Sequence, residues 1–99
     1  MTRQVALAST AEADLFEIWR YTSNEWSEAK AEQYLQGLWE TFALLASHPE
    51  IARLRHEITP AVRLHPHRSH LVIYVETDAT LTIFRIVHSR SDWQAALSE

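Results

Sequence analysis

Apolar residues recur along this chain with two different periods, and the change of period divides it into two structural regimes. Between residues 11 and 45 they return every three or four positions. Leu15, Ile18, Trp19 and Thr22 mark one helical stripe, and Ala31, Tyr34, Leu35, Leu38, Phe42 and Leu45 mark a second, longer one. Ser9-Thr10-Ala11-Glu12 has the spacing of a capping box at the start of the first helix, with Asp14 and Glu17 directed outward. That helix is expected to end near Ser23-Asn24, and the next starts at Ser27. Pro49 ends the second helix, because the residue before a proline is forced out of the α region. So short a connection predicts an antiparallel hairpin of helices.

After residue 60 the pattern becomes that of strands. Ala61–His65, His70–Glu76 and Thr80–His88 read as three strands, the last two joined through Thr77-Asp78-Ala79. Gln4–Ala8 reads as a short edge strand, and residues 50–60, with no clear period, as a loop or a helical turn. The order of elements predicts an α+β domain: an N-terminal edge strand, an antiparallel helix hairpin, then a three-stranded antiparallel meander with the helices on one face. Leu38, Phe42 and Ile73 are the expected core. The single glycine, Gly37, lies inside the second helix, where it suggests close packing rather than a ligand site.

Composition sharpens this outline. With 99 residues, 46% apolar and 22% charged, residues 1–99 are expected to form one folded domain. The absence of cysteine removes disulfides and thiolate metal sites. No signal peptide or membrane span is visible, so the expected location is cytoplasmic. The net charge of −4 is unevenly distributed: the first fifty residues carry eight acidic and three basic groups, the remainder five and six. Five of the six histidines also fall in the second part. An acidic helical half joined to an Arg/His-rich half suggests two faces with different partners, while the overall charge argues against sequence-specific nucleic-acid binding.

The candidate chemistry lies in the strands. Arg63, His70, Arg85, His88 and Arg90 could converge on one polar surface, suited to binding an acidic group or to acid–base work on one. Asp92, close behind, could pair with Arg85 or Arg63 and hold the tail against the sheet. His65, His67 and His70 fall within six residues, yet Arg68 stands among them and opposes a cation, so no metal is expected. No Gly-rich phosphate loop, cysteine nucleophile or nucleophile elbow is present, and no cofactor is implied. Trp26, in the interhelix loop, and Trp39, off the main apolar stripe, are candidates for an exposed protein-binding patch.

In order and spacing, the chain resembles the ParE family of the RelE/ParE toxin–antitoxin superfamily. The resemblance begins with Ala11-Glu12-Ala13-Asp14-Leu15-Phe16-Glu17-Ile18-Trp19-Arg20-Tyr21 and continues through Ala31-Glu32-Gln33-Tyr34-Leu35 and Leu45-Ala46-Ser47-His48-Pro49. It closes with Val62-Arg63, His70-Leu71-Val72-Ile73-Tyr74 and the run from Arg85 to Asp92. Ala52, where the family often has glycine, and Trp93, after the family-like aspartate, depart from the pattern. The resemblance implies a toxin of a type II system associated with plasmid stabilisation, neutralised by a ParD-like antitoxin and directed at DNA gyrase. Under that reading the protein inhibits by binding, and Trp26, Trp39, Arg63, Arg85, His88, Arg90, Asp92 and Trp93 are the candidate contacts with target or antitoxin.

The related RelE branch cuts messenger RNA on the ribosome. As a nuclease of that type this chain would rely on His70, His88, Arg63 and Arg90. It lacks, however, a lysine-rich segment before the sheet and a tyrosine at the C-terminal end. A third reading is an inactive member retained for antitoxin binding or regulation.

Overall fold

The computed structural model describes residues 2–97. Five strands and three helices follow in the order β1 (Gln4–Leu7), α1 (Ser9–Glu25), α2 (Glu28–Ser47), β2 (Leu54–Arg55), β3 (Val62–His67), β4 (His70–Glu76), β5 (Thr80–His88) and α3 (Trp93–Leu97). The sheet order is β1-β5-β4-β3-β2, with β1 parallel to β5 and every other pair antiparallel. The expected edge strand, helix hairpin and meander are therefore present. Two short elements, β2 and α3, extend them.

Ser27 caps α2 as its sequence suggests, its hydroxyl accepting from the Lys30 N–H at 3.1 Å. That helix stops at Ser47, and Pro49–Ile51 forms a single 3-10 turn. The start of α1 differs from expectation. Ala8 is its N-cap and no side chain caps it, so Ser9 and Glu12 form no capping box. Thr10 reaches across instead, its hydroxyl donating to the Phe84 carbonyl on β5 at 2.8 Å. The helix starts one residue earlier than the box requires, so Ser9 is its first helical residue rather than its cap.

Both faces of the sheet are covered. Side chains alternate along β4, so Val72 and Tyr74 join Leu15, Ile18, Leu38, Phe42, Leu45, Leu81 and Ile83 beneath the helix hairpin. Ile73 belongs to a second cluster with Val62, Leu64 and Val87, over which Ile58, Trp93 and Leu97 pack. The expected core residues Leu38, Phe42 and Ile73 are all fully buried, although on two sides of the sheet. Tyr74 is buried too, and its hydroxyl donates to the Pro49 carbonyl at 2.7 Å. Burial pushes that phenol up to about 12.

The pairing of β4 with β5 shifts register between Ile73 and Tyr74: Arg85 faces Ile73 and Ile83 faces Tyr74, so Phe84 is left over as a bulge. Asp14 on α1 exploits it. Its Oδ2 accepts from Arg85 Nε at 2.7 Å and from the Ile86 N–H at 2.9 Å, and its Oδ1 accepts from Arg85 Nη2 at 3.1 Å. Asp14 is therefore not an outward helix residue but the clamp between α1 and β5. Three charge-assisted bonds explain why a carboxylate sits in this partly buried place.

Candidate functional site

Hairpin geometry gathers the imidazoles at one end of the sheet. Arg68 and Ser69 form the turn between β3 and β4, so His67 faces His70 across the first pair of strands. His70 in turn faces His88 across the second. Three histidines thus stand side by side on three neighbouring strands, and the His70 and His88 rings meet edge-on at 5.6 Å. The adjoining chain ends are tied together by the Ser89 N–H, which donates to the Ser69 carbonyl at 2.8 Å.

From α2, Tyr34 enters edge-on between His67 and His70, with ring centroids 5.5 Å from each. Its hydroxyl lies 2.5 Å from His70 Nδ1. Burial raises the Tyr34 pKa and lowers that of His70, the latter further depressed by His88 and His67. The phenol therefore keeps its proton and donates, while the neutral imidazole accepts through Nδ1 and carries its own proton on Nε2.

His67 is held differently. The Thr41 hydroxyl donates to the Gly37 carbonyl at 3.0 Å, which leaves its oxygen to accept from His67 Nδ1 at 2.9 Å. His67 Nε2 is then a bare lone pair, buried with no hydrogen-bond partner. Burial, followed by the charge of Arg68 and then His65, lowers the His67 pKa. A second proton would place a buried N–H donor where nothing accepts it, so the ring is neutral.

The cationic candidates separate. Arg63 lies toward the other end of β3 and is bidentate to Glu76, at 2.9 and 3.0 Å, with a further bond to the Ala52 carbonyl at 2.6 Å. Arg85 is held by Asp14. The carboxylates that meet these two guanidiniums are thus Glu76 and Asp14, while Asp92 caps the start of α3 by accepting from the Ala95 N–H at 3.2 Å. Trp93 opens that helix and packs half-buried against the sheet. Of the predicted residues, His88, Arg90 and Asp92 remain exposed in one segment close to His70. His70, His88 and Arg85 line one groove, Arg85 with its guanidinium held by Asp14, while Arg63 lies apart and Arg90 is exposed beyond the end of β5. No group of three or more potential metal ligands occurs among the described residues.

Two grooves meet at this end. One, of about 830 Å³, runs from Asp14 and Arg85 past His70 and His88 to Tyr21 and Trp26. The other, of about 570 Å³, continues from Trp26 and Tyr34 to Lys30, Gln33, Arg68 and Ser69. Trp26, 74% exposed, lines both, and the helix hairpin also exposes Tyr21, Phe16, Trp39 and Leu44. Exposed large apolar groups are enriched at protein-binding sites.

Sequence reasoning did not select Tyr34, Thr41, His67 or Asp14 as site residues. Counting register outward from a two-residue turn would have found the histidine pairing, because residues flanking such a turn face each other. The Asp14 clamp depends on the bulge at Phe84 and had no such signal.

Comparison with known proteins points in a consistent direction. A family model described as ParE toxin of type II toxin-antitoxin system, parDE, matches residues 5–93. Toxin ParE1 of Mycobacterium tuberculosis is 36% identical over 93 residues, covering 93% of this chain and 95% of that protein. Toxin ParE of Escherichia coli is 31% identical over 94 residues, covering 94% and 91%. A solved structure described as the chromosomal ParDE TA system from P. aeruginosa superposes with a TM-score of 0.74, over 88% of this chain and 96% of that one, at 19% identity. At that identity the likeness concerns the fold.

Proposed function

Because the chain belongs to the ParE toxin family of type II toxin–antitoxin systems, we propose that it acts in the cytoplasm by binding DNA gyrase and is neutralised by a ParD-like antitoxin. The observation that carries this reading is the set of aromatic side chains that the helix hairpin exposes, Trp26 and Trp39 among them. An amphipathic antitoxin segment would lay its apolar face there and fold on binding. The exposed stretch from His88 to Asp92 is the surface offered to gyrase.

Binding is favoured over RNA cleavage by how the cations are used. Arg63 and Arg85 each hold a carboxylate, and neither could grip a scissile phosphate without releasing it. His67 and His70 are occupied with Thr41 and Tyr34.

The test is a gyrase supercoiling assay beside a translation assay. Purified protein is expected to block supercoiling or trap cleaved DNA while ribosome-bound messenger RNA stays intact. Arg90→Glu should weaken the inhibition more than His88→Ala, because charge reversal adds repulsion whereas no proton transfer is lost with the imidazole. Codon-specific cleavage of messenger RNA, lost in His70→Ala or His88→Ala, would replace the gyrase reading with a RelE-like one.

A further inference from the structure

Most basic side chains of the protein are already engaged. Arg20, Arg53, Arg63 and Arg85 are ion-paired, and Arg3 donates to the carbonyls of Thr77 and Ala46. Among the described residues, Lys30, Arg55, Arg68 and Arg90 have no carboxylate within ion-pair distance, and of these Lys30 and Arg68 line the same groove. No carboxylate is among the residues that line it.

Arg68 is also in an unusual backbone state. Its φ of 52° makes it the one residue with positive φ among those described, at the first position of a two-residue turn where glycine or asparagine ordinarily sits. An arginine kept in the left-handed region directs attention to its side chain. Trp26, 74% exposed at the end of α1, and Gln33 line the same groove as Arg68.

We infer that this groove binds a nucleotide, with Lys30 and Arg68 on the phosphate, the Trp26 indole against the base and the Gln33 amide at the base edge. Its volume of about 570 Å³ suits a small molecule of that size. A flat indole beside paired cations matches a ligand that joins an aromatic ring to a phosphate, since every base offers a π-face. The overall charge of −4 opposes a long polyanion or an acidic peptide, whereas two local cations are enough for one phosphate group. Thr22, Trp26, Tyr34 and Ser69 line both this groove and the one that reaches His88 and Asp92, so a bound nucleotide would compete with a partner laid over Trp26, whatever the toxin's target.

Isothermal titration of the full chain with adenosine 5′-monophosphate, adenosine and inorganic phosphate tests the assignment. The nucleotide is expected to bind more tightly than either half. Arg68→Gly, which removes the cation and suits the positive φ, should weaken nucleotide binding by about tenfold or more without lowering the denaturation midpoint. Trp26→Ala should weaken the nucleotide on the order of tenfold and leave inorganic phosphate unchanged. No saturable nucleotide binding at millimolar concentration would overturn the proposal. So would nucleotide affinity that both substitutions leave intact, or equal affinity for the nucleotide and bare phosphate.

Discussion

Arg63 and His67 lie on the same strand, four residues apart and on the same helix-facing side of the sheet, yet they are accommodated in opposite ways. Glu76 and the Ala52 carbonyl occupy the donors of Arg63, and the hydrogen bonds and charge of Glu76 hold its pKa above the ordinary value. His67 has one partner, Thr41, and a buried nitrogen with none, so it is stable there only as a neutral ring. A guanidinium cannot shed its proton at accessible pH, and so it needs a carboxylate. An imidazole can, and the β3–β4 turn collects three of them without one. The two ends of the strand should therefore fail under different perturbations.

The largest effect is expected at the Arg63 end. Glu76→Gln keeps the shape of the side chain but removes its charge, leaving a guanidinium that is 15% exposed against a neutral amide. Loss of a charge-assisted pair at that depth should cost about 1–3 kcal/mol, read as a lower midpoint in chemical denaturation. An unchanged midpoint would mean that the pair does not hold β3 to β4 and to the Ala52 loop. It would also remove the contrast with His67.

Acidification should separate the two ends along the pH axis. For His65, His67 and His70 the pKa is lowered from the ordinary 6.5, first by burial in each case. The unfolded chain therefore takes up protons before the folded one, so stability is complete above about pH 6.5 and falls as the pH drops below it. Glu76 has a pKa lowered from 4.5, chiefly by its hydrogen bonds to Arg63. Its contribution is present above that value and is lost only at lower pH. Denaturation at a series of pH values should show loss beginning near pH 6 and a second loss below about pH 4.5. His67→Leu should reduce the first, which His65 and His70 still share, and leave the second, whereas a single loss confined to the carboxylate range would show that the imidazoles are not buried as neutral groups.

What could be read from the sequence follows from the same distinction between local and tertiary causes. Ser27 and Pro49 act within their own helix, and both ends of α2 fall where they indicate. The strands of the meander are long enough for a period to show. By contrast, β2 has only two residues, too few for any alternation, and exists because Leu54 and Arg55 meet Arg63 and Val62. The Ser9-Thr10-Ala11-Glu12 pattern has capping-box spacing, yet the helix begins at Ser9 with Ala8 as its cap, which puts Ser9 one position too far in to cap it. Asp14 looked like part of a solvated face because nothing in α1 announces a register shift more than sixty residues later. Histidine spacing was visible, but its meaning lay in the pairing of strands.

The smallest expected effect is a gain, and it tests whether His67 is constrained by crowding or only by its missing partner. Gly37 sits in the middle of α2, where glycine disfavours the helix by about 1 kcal/mol relative to alanine. Close packing against β3 would account for it if no Cβ could be accommodated. A Cβ built there lies 3.5 Å from His67 Cε1 and Nε2, an ordinary van der Waals contact. Gly37→Ala should therefore raise stability by a few tenths to about 1 kcal/mol rather than lower it. The added methyl also covers the unpartnered Nε2 more closely, so protonation of His67 should become harder and the fall in stability below pH 6.5 steeper. A loss of stability at neutral pH would instead mean that the imidazole edge is packed too tightly to yield. His67 would then be held by crowding as firmly as Arg63 is held by charge, and the two would no longer be opposites.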